Sequence, residues 1–446
     1  MLSSRLPKDL SPSPFFAELE RAKADVLAEC ANSNALPFID MTVSSPVKAG
    51  LPVDLDDAVD EGREAFGNWS PDASGWMSAR EAVVEYYRQR GGHFTAGQII
   101  LTASTSESYS VLFKTFCDPG DVILTPMPGY PLLDTLAQLE HLECAPYFLK
   151  LKRERFDKLI DLKKVTERRS APAEVNAFRF VLDSDSLLAA PERAKILLLV
   201  SPHNPTGHCV SREEWNEAVR FCEENNMILV VDEVFGDYAF TDKVSRTWQY
   251  VFGERENVIL DPGVRSTIGE EIWDAGGGDF INLPENGPKC PIFWLNGLSK
   301  AVGSPQLKLG WMAFYAPREN FEEIRAALEF VEDAYLSVSA PAQALGISLL
   351  PKAAAYGSRV LDRLQQNWQT LREAFPSKYC PEVLGGWYAV VRLGDDDEEL
   401  TLRLLREKHV LVQPGFFFDF DEDGWVVMSL LQDPALFKEA IERITK

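Results

Sequence analysis

The chain has 446 residues, of which 46% are hydrophobic, and a formal net charge of −23. That excess of acid excludes a general affinity for nucleic acid or anionic membrane, both of which need a basic surface, and the apolar content excludes wholesale disorder. The length exceeds one ordinary core, so a large domain with a smaller companion is expected.

Residues 1–14 are polar and proline-bearing, and the next stretch, Phe15 to Cys30, has the spacing of a helix with Phe15, Leu19, Ala22 and Val26 along one face. FIDMTVSSPVKAGLP, 38–52, reads as a short strand running into a Pro/Gly loop, either a connector or a loop that touches substrate. WSPDASGW, 69–76, is turn-rich and precedes an amphipathic helix from Ala79 to Arg88. From there strands and helices alternate, the pattern of a wound parallel sheet. QIILTASTSESYSVLFKTF, 98–116, predicts a strand, a polar turn and a helix whose first turn carries Ser104, Thr105 and Ser106. Free N–H groups and hydroxyls there make an anion cup, or simply a serine-rich cap. VILTPMPGYP, 122–131, predicts a buried strand ending in a turn that presents Tyr130, to stack on a planar ring or to join the core.

The stretch 151–177 is charged and without apolar period, and is expected to be an exposed insertion. KILLLV, 195–200, is the continuous apolar run of a strand buried on both faces, and it leads into SPHNPTG, 201–207. The prolines on either side hold Asn204 on a rigid turn at the strand's carboxyl end, where open α/β sheets bind ligands. Ser211 and Glu214 form a capping box for the helix that follows, which buries Trp215, Val219 and Cys222. The next strand, MILVV at 227–231, ends in DEVFGDYAF, so Asp232 meets the same ligand as Asn204 or caps a helix. A buried carboxylate needs a cationic partner, and a protonated pyridine nitrogen would supply one. Gly253 to Lys289 is acidic and glycine-rich, a second expected insertion.

LNGLSKAVGSPQLKLGW, 295–311, follows, with Lys300 as its centre. Beside a buried cofactor a lysine amine loses its proton readily and can hold an aldehyde as a Schiff base, while Lys308 reaches the cofactor's phosphate. An exposed turn lysine is the alternative. LGGWYAVVRL, 384–393, and VLVQPGFFFDF, 410–420, predict strands of a smaller domain. Seven scattered cysteines with no C-x-x-C fit a reducing cytosol, and five histidines never fall at ligand spacing, so no structural metal is expected. Neither a signal peptide nor a membrane-spanning run is expected from the sequence, which predicts a cytoplasmic protein.

With Tyr130, PHNPTG, Asp232 and Ser299-Lys300 in this order, the chain resembles the class I/II aminotransferases, fold type I enzymes dependent on pyridoxal 5'-phosphate. The resemblance implies an α/β fold with a mainly parallel central sheet in a large domain, 53–330, an arm at 1–52 and a smaller α+β domain at 331–446. It implies Lys300 as the Schiff-base lysine and the base that moves the α-proton, Asp232 on the pyridine nitrogen, Asn204 on the phenolic oxygen and Tyr130 on the ring. Ser104, Thr105, Ser106, Ser299 and Lys308 are implied as the phosphate cup, and a homodimer as the assembly. Transamination between a small-molecule amino donor and a keto acceptor is the implied reaction; a lyase, decarboxylase or cyclase would use the same residues. A cofactor-binding regulator would carry an appended DNA-binding helix pair or lack the lysine, and neither is found in the sequence.

The departures carry information too. Phe235 stands where the family has a tyrosine that donates to the phenolic oxygen, and Lys308 where arginine is frequent. Trp69 takes the place of a tyrosine that crosses the dimer to the phosphate. In WVVMSLL, 425–431, Val427 or its neighbours take the place of the arginine that normally clamps the substrate's α-carboxylate, with Lys48 the nearest substitute cation in the sequence. Trp69, Tyr130, Trp387 and Phe417 are expected to line the site and favour a bulky, apolar donor.

Overall fold

The computed structural model describes all residues except 1, 2, 4, 8, 9, 12, 32–35, 68, 69, 157–174, 242, 243, 253–283, 285, 286, 337 and 395. An N-terminal helix, Pro14–Cys30, buries Phe15, Leu19, Ala22 and Val26, the face its spacing predicts. It leads to the short strand β1 (Ile39–Asp40). Eight strands then build the main sheet: β2 (Ile99–Thr102), β3 (Val122–Met127), β4 (Glu143–Phe156), β5 (Val175–Leu182), β6 (Ala194–Val200), β7 (Ile228–Asp232), β8 (Ile292–Gly297) and β9 (Gly310–Tyr315). Their order is β2-β9-β8-β7-β6-β3-β4-β5. The five central strands from β8 to β4 pair parallel, while β9 runs antiparallel to both neighbours and β5 antiparallel to β4.

The apolar runs that predict these strands are explained by burial on both faces. Ile196 and Leu198 pack with Ile123, Val230, Phe293 and Leu295 on one side, against the helix Thr105–Phe116. Leu197 and Leu199 pack with Leu124, Val231 and Ile292 on the other. No strand residue there can be polar without burying an unpaired group. The helix Arg212–Glu224 has the predicted capping box: Glu214 N–H donates to Ser211 Oγ at 3.2 Å, and Ser211 N–H donates to Glu214 Oε2 at 2.7 Å.

The stretch 151–177 differs from expectation at both ends. Its flanks are β4 and β5, paired from Leu149↔Leu182 outward, so the charged residues Lys152 and Arg153 sit on a hairpin ladder. Backbone pairing beyond the two-faced core needs no apolar period, which is why the pattern gave no strand signal. The rest of that stretch, 157–174, and most of the second expected insertion, 253–283, lie outside the described residues.

A second sheet of β10 (Tyr388–Arg392), β13 (Trp425–Ser429) and β12 (Gln413–Pro414) carries the helices Ala353–Ala374, Asp397–Lys408 and Pro434–Ile444. β11 (Val410–Leu411) pairs with β1 and so ties the N-terminal segment to it. One continuous core runs from Ile39 through the main sheet to Ile441.

Beneath the end of β7 lies a buried ionic cluster that sequence reading did not find. Asp237 accepts hydrogen bonds from Arg90 Nε at 2.7 Å, Arg246 Nη2 at 3.0 Å and the Tyr86 hydroxyl at 2.9 Å. Burial pushes the Asp237 carboxyl up, but the two guanidiniums outweigh it and hold the group below the usual carboxylate range. Removing one member of a buried ion cluster strands the others, which costs about 3–5 kcal/mol. Asp237→Ala should therefore lower the unfolding free energy of the apo-protein by about that amount in a urea titration. A midpoint equal to that of the parent protein would show that the cluster does not hold this loop.

Candidate active site

Three parallel strands deliver their next residues to one edge of the sheet. β6 runs into the turn 201–207, β7 ends on Asp232, and β8 runs into the short helix Leu298–Ala301 that carries Lys300. In the ladder Val200 pairs with Asp232 and Asp232 with Leu295, so the ends are level. Asp232 continues the parity of Val230 and therefore points to the face covered by the helix Thr105–Phe116. There the Tyr109 hydroxyl donates to Asp232 Oδ2 at 2.7 Å, and Val234 N–H donates to Oδ1 at 3.0 Å. Burial pushes the Asp232 carboxyl up, opposed by these two hydrogen bonds and by the charge of Lys300.

The Lys300 amine lies 4.4 Å from the Trp387 ring centroid and 5.2 Å from that of Phe235. Burial pushes it down to about 8, with Asp232 pulling the other way. Its backbone is fixed by Tyr238, whose hydroxyl donates to the Lys300 carbonyl at 2.6 Å. On the β6 side, Asn204 Oδ1 is buried with no hydrogen-bond partner among the described residues.

Ser104 caps the helix Thr105–Phe116, accepting from Glu107 N–H at 3.2 Å. The hydroxyls of Thr105, Ser106 and Ser299 make no hydrogen bond among the described residues. Two glycines bring this helix end to the lysine. Gly297 and Gly310 pair across β8 and β9, and Leu298 N–H donates to the Leu309 carbonyl at 3.0 Å. A Cβ on Gly310 would lie 3.1 Å from Thr105 N and from Thr102 Oγ1, and 3.0 Å from the Ser104 carbonyl carbon. Lys308, two residues before, is exposed in a left-handed conformation with φ 52°.

Tyr130 is exposed on the turn after β3, and the Gly129 N–H donates to the Phe418 carbonyl at 2.8 Å. Phe235 is buried, edge-on to Trp387 at 5.3 Å between centroids. Val427 is buried in β13 between Val390 and Gln413, and Lys48 is exposed without an ion pair among the described residues. Phe417, expected to line the site, instead stacks on Phe16 at 4.6 Å in the cluster built on the N-terminal helix. Trp69 lies outside the described residues.

The sheet order, with a half-buried lysine following β8 and a carboxylate ending the adjacent β7, defines a fold type I transferase. More narrowly, the chain belongs to the class I and II aminotransferases, whose family model matches residues 54–444. It is 24% identical over 388 residues to the glutamate-pyruvate aminotransferase AlaA of Haemophilus influenzae, covering 84% of this chain and 81% of that one. The alanine aminotransferase of Mycobacterium tuberculosis is likewise 24% identical over 388 residues, covering 84% of this chain and 76% of its own. Among solved structures, an alanine aminotransferase from Pyrococcus furiosus superposes with a TM-score of 0.70 at 20% identity, covering 98% of both chains. An aspartate aminotransferase from Thermotoga maritima gives 0.71 at 18% identity, covering 100% of this chain and 99% of that one. The family implies pyridoxal phosphate, and the residues present fit it. The adjacent strands β6, β7 and β8 bring Asn204, Asp232 and Lys300 to one sheet edge, Asn204 Oδ1 is buried without a partner among the described residues, and Gly310 leaves a cradle beside the start of the helix Thr105–Phe116 that a methyl group would fill.

Sequence reading missed Tyr109, Tyr238 and Gly310. Tyr109 had one usable signal, its place one turn beyond Thr105 on the helix that carries the cup. Gly310→Ala should push the helix end away by a few tenths of an ångström and weaken pyridoxal phosphate binding about tenfold, given an overpacking cost of about 1–3 kcal/mol. Unchanged affinity in a fluorescence titration of the apo-protein would show that this approach does not shape the cup.

Proposed function

We propose that this aminotransferase binds pyridoxal phosphate on Lys300 and transfers the amino group of a bulky, largely apolar donor to a keto acid. The observation that carries the reading is the half-buried Lys300 amine at the end of β8, set between the Trp387 and Phe235 rings beside the strand that ends on Asp232, where desolvation lowers it to about 8. A neutral amine at the end of β8 can take the cofactor's aldehyde carbon and, once displaced by the substrate amine, can hold and return the α-proton at Nζ. The bound cofactor supplies an electron sink for the α-carbon. Asp232 would keep the ring nitrogen protonated, Asn204 would donate from its side-chain amide to the phenolic oxygen, and Tyr130 would cover the ring. The N-terminus of the helix Thr105–Phe116, with Ser104, Thr105, Ser106, Ser299 and Lys308, would receive the phosphate, in a chain that works as a homodimer. Phe235 offers no hydroxyl to the phenolic oxygen, so that oxygen relies on Asn204. In this reading the chain divides into 1–52, 53–330 and 331–446, and the substrate would lie between the main sheet and the smaller domain. Seven free thiols support a cytoplasmic setting.

Substrate choice follows from Val427. A guanidinium–carboxylate pair is among the strongest side-chain contacts, and its loss leaves an α-carboxylate to Lys48 or without a partner. Trp387 and Phe235 beside the amine favour an apolar donor side chain.

Borohydride reduction of the yellow protein should fix the cofactor on Lys300, and labelling of apo-protein by pyridoxal should rise with a midpoint near pH 8, where Lys300 loses its proton. A peptide map that places the label on another lysine sinks the assignment. Stopped-flow spectra should show slow conversion with aspartate and glutamate and faster conversion with a large hydrophobic amino acid or amine. Fast conversion with aspartate refutes the substrate reading, and unchanged amino-acid affinity in Lys48→Ala eliminates that residue as the substitute anchor.

A further inference from the structure

We infer that Tyr109 is a positioning residue of the reaction: its hydroxyl fixes the rotation of the Asp232 carboxylate and holds it ionised to receive the ring nitrogen of the cofactor. The inference rests on the reading of Asp232 given above. Three observations support it. First, the contact is direct and short, 2.7 Å from the Tyr109 hydroxyl to Asp232 Oδ2. Second, it is enclosed, since Tyr109 is 5% exposed and packs on the core face that holds Val230, Leu295 and Phe113. Third, the carboxylate has little else. Its other protein hydrogen bond is Val234 N–H to Oδ1 at 3.0 Å, and no cation pairs with it by direct contact among the described residues.

The chemistry of this arrangement is one-directional. A phenol donates one hydrogen, and a carboxylate that accepts it is stabilised in its charged form, whereas a protonated carboxyl would offer a competing donor. Burial acts against the charge on Asp232 and also pushes the Tyr109 hydroxyl well above its ordinary range, so the phenol stays the donor at every working pH. With Oδ1 fixed by the backbone and Oδ2 by Tyr109, the carboxylate plane cannot turn. The ionisable groups that act on Asp232 are Tyr109 from the helix Thr105–Phe116 and Lys300 from the helix Leu298–Ala301, while Tyr147 from β4 acts on Tyr109. Lys300 stays protonated below about pH 8, so it adds a constant pull in the acid range.

Tyr109→Phe removes the donor and little volume, and it can be followed without turnover. In the apo-protein the folded Asp232 carboxyl already titrates above its unfolded value. Loss of the donor raises it further, so the charged form becomes more destabilising. The sign follows: below the unfolded value of about 4 both states are protonated and the variant matches the parent, and the stability gap opens as pH rises toward neutrality. Unfolding midpoints from pH 4 to 7 should show a widening gap that vanishes when Tyr109→Phe is made in an Asp232→Ala background. Pyridoxal phosphate affinity should fall about tenfold in Tyr109→Phe, again only while Asp232 is present. A gap independent of pH, or one that persists without Asp232, overturns the inference and leaves Tyr109 a packing residue. Unchanged cofactor affinity in Tyr109→Phe alone also overturns it. Unchanged affinity in Asp232→Ala as well would show that the reading of Asp232 is what failed.

Discussion

Everything at the working edge of this molecule follows from setting a carboxylate and an amine, Asp232 and Lys300, half-buried at the ends of adjacent parallel strands. Each charge alone would be expelled or neutralised by desolvation. Together they hold each other partly charged, Asp232 pulling the amine up and Lys300 pulling the carboxyl down, while burial wins in both cases. Such a balance survives only if neither group can move. The surrounding polar contacts do that: Tyr109 and Val234 N–H on the carboxylate, Tyr238 on the lysine's backbone.

Tyr238 connects this pair to the cluster below. It follows Asp237 directly, and Asp237 is held by Arg90, Arg246 and Tyr86, with Asn296 Nδ2 donating to the Tyr86 hydroxyl at 3.2 Å. Asn296 lies in β8, four residues before Lys300. The loop after β7 and the strand that delivers the lysine are thus tied to one buried anion, and neither can shift without breaking charge-assisted hydrogen bonds.

The fold was legible where physics leaves the sequence no choice. A sheet covered on both faces demands apolar runs, so KILLLV and MILVV announce their strands, and a turn bounded by prolines announces the place of Asn204. The capping box at Ser211 is local and equally readable. What stayed hidden depends on distant partners. Arg90 and Asp237 are 147 positions apart, and nothing local in either sequence window marks the pair. Tyr109 meets Asp232 across 123 positions because of the parity of β7, which becomes visible only once the strand's register is known. Phe417 failed for the opposite reason: aromatics in a short turn carry no facing signal, and the N-terminal helix supplied a stacking partner that no residue count reveals.

Aromatic rings stand beside the lysine amine. Phe235 brings no hydroxyl, Val427 no guanidinium, and the amine faces the rings of Phe235 and Trp387. Ring faces favour the ammonium by about 0.5–2 kcal/mol, while burial works against it. Among the described residues, Asp232 is the carboxylate that steadies the proton on this amine. The Tyr109 hydroxyl and the Val234 N–H hold the two oxygens of that carboxylate, so the pull on the amine depends on the helix that covers the sheet and on the backbone after β7 rather than on the aromatic wall.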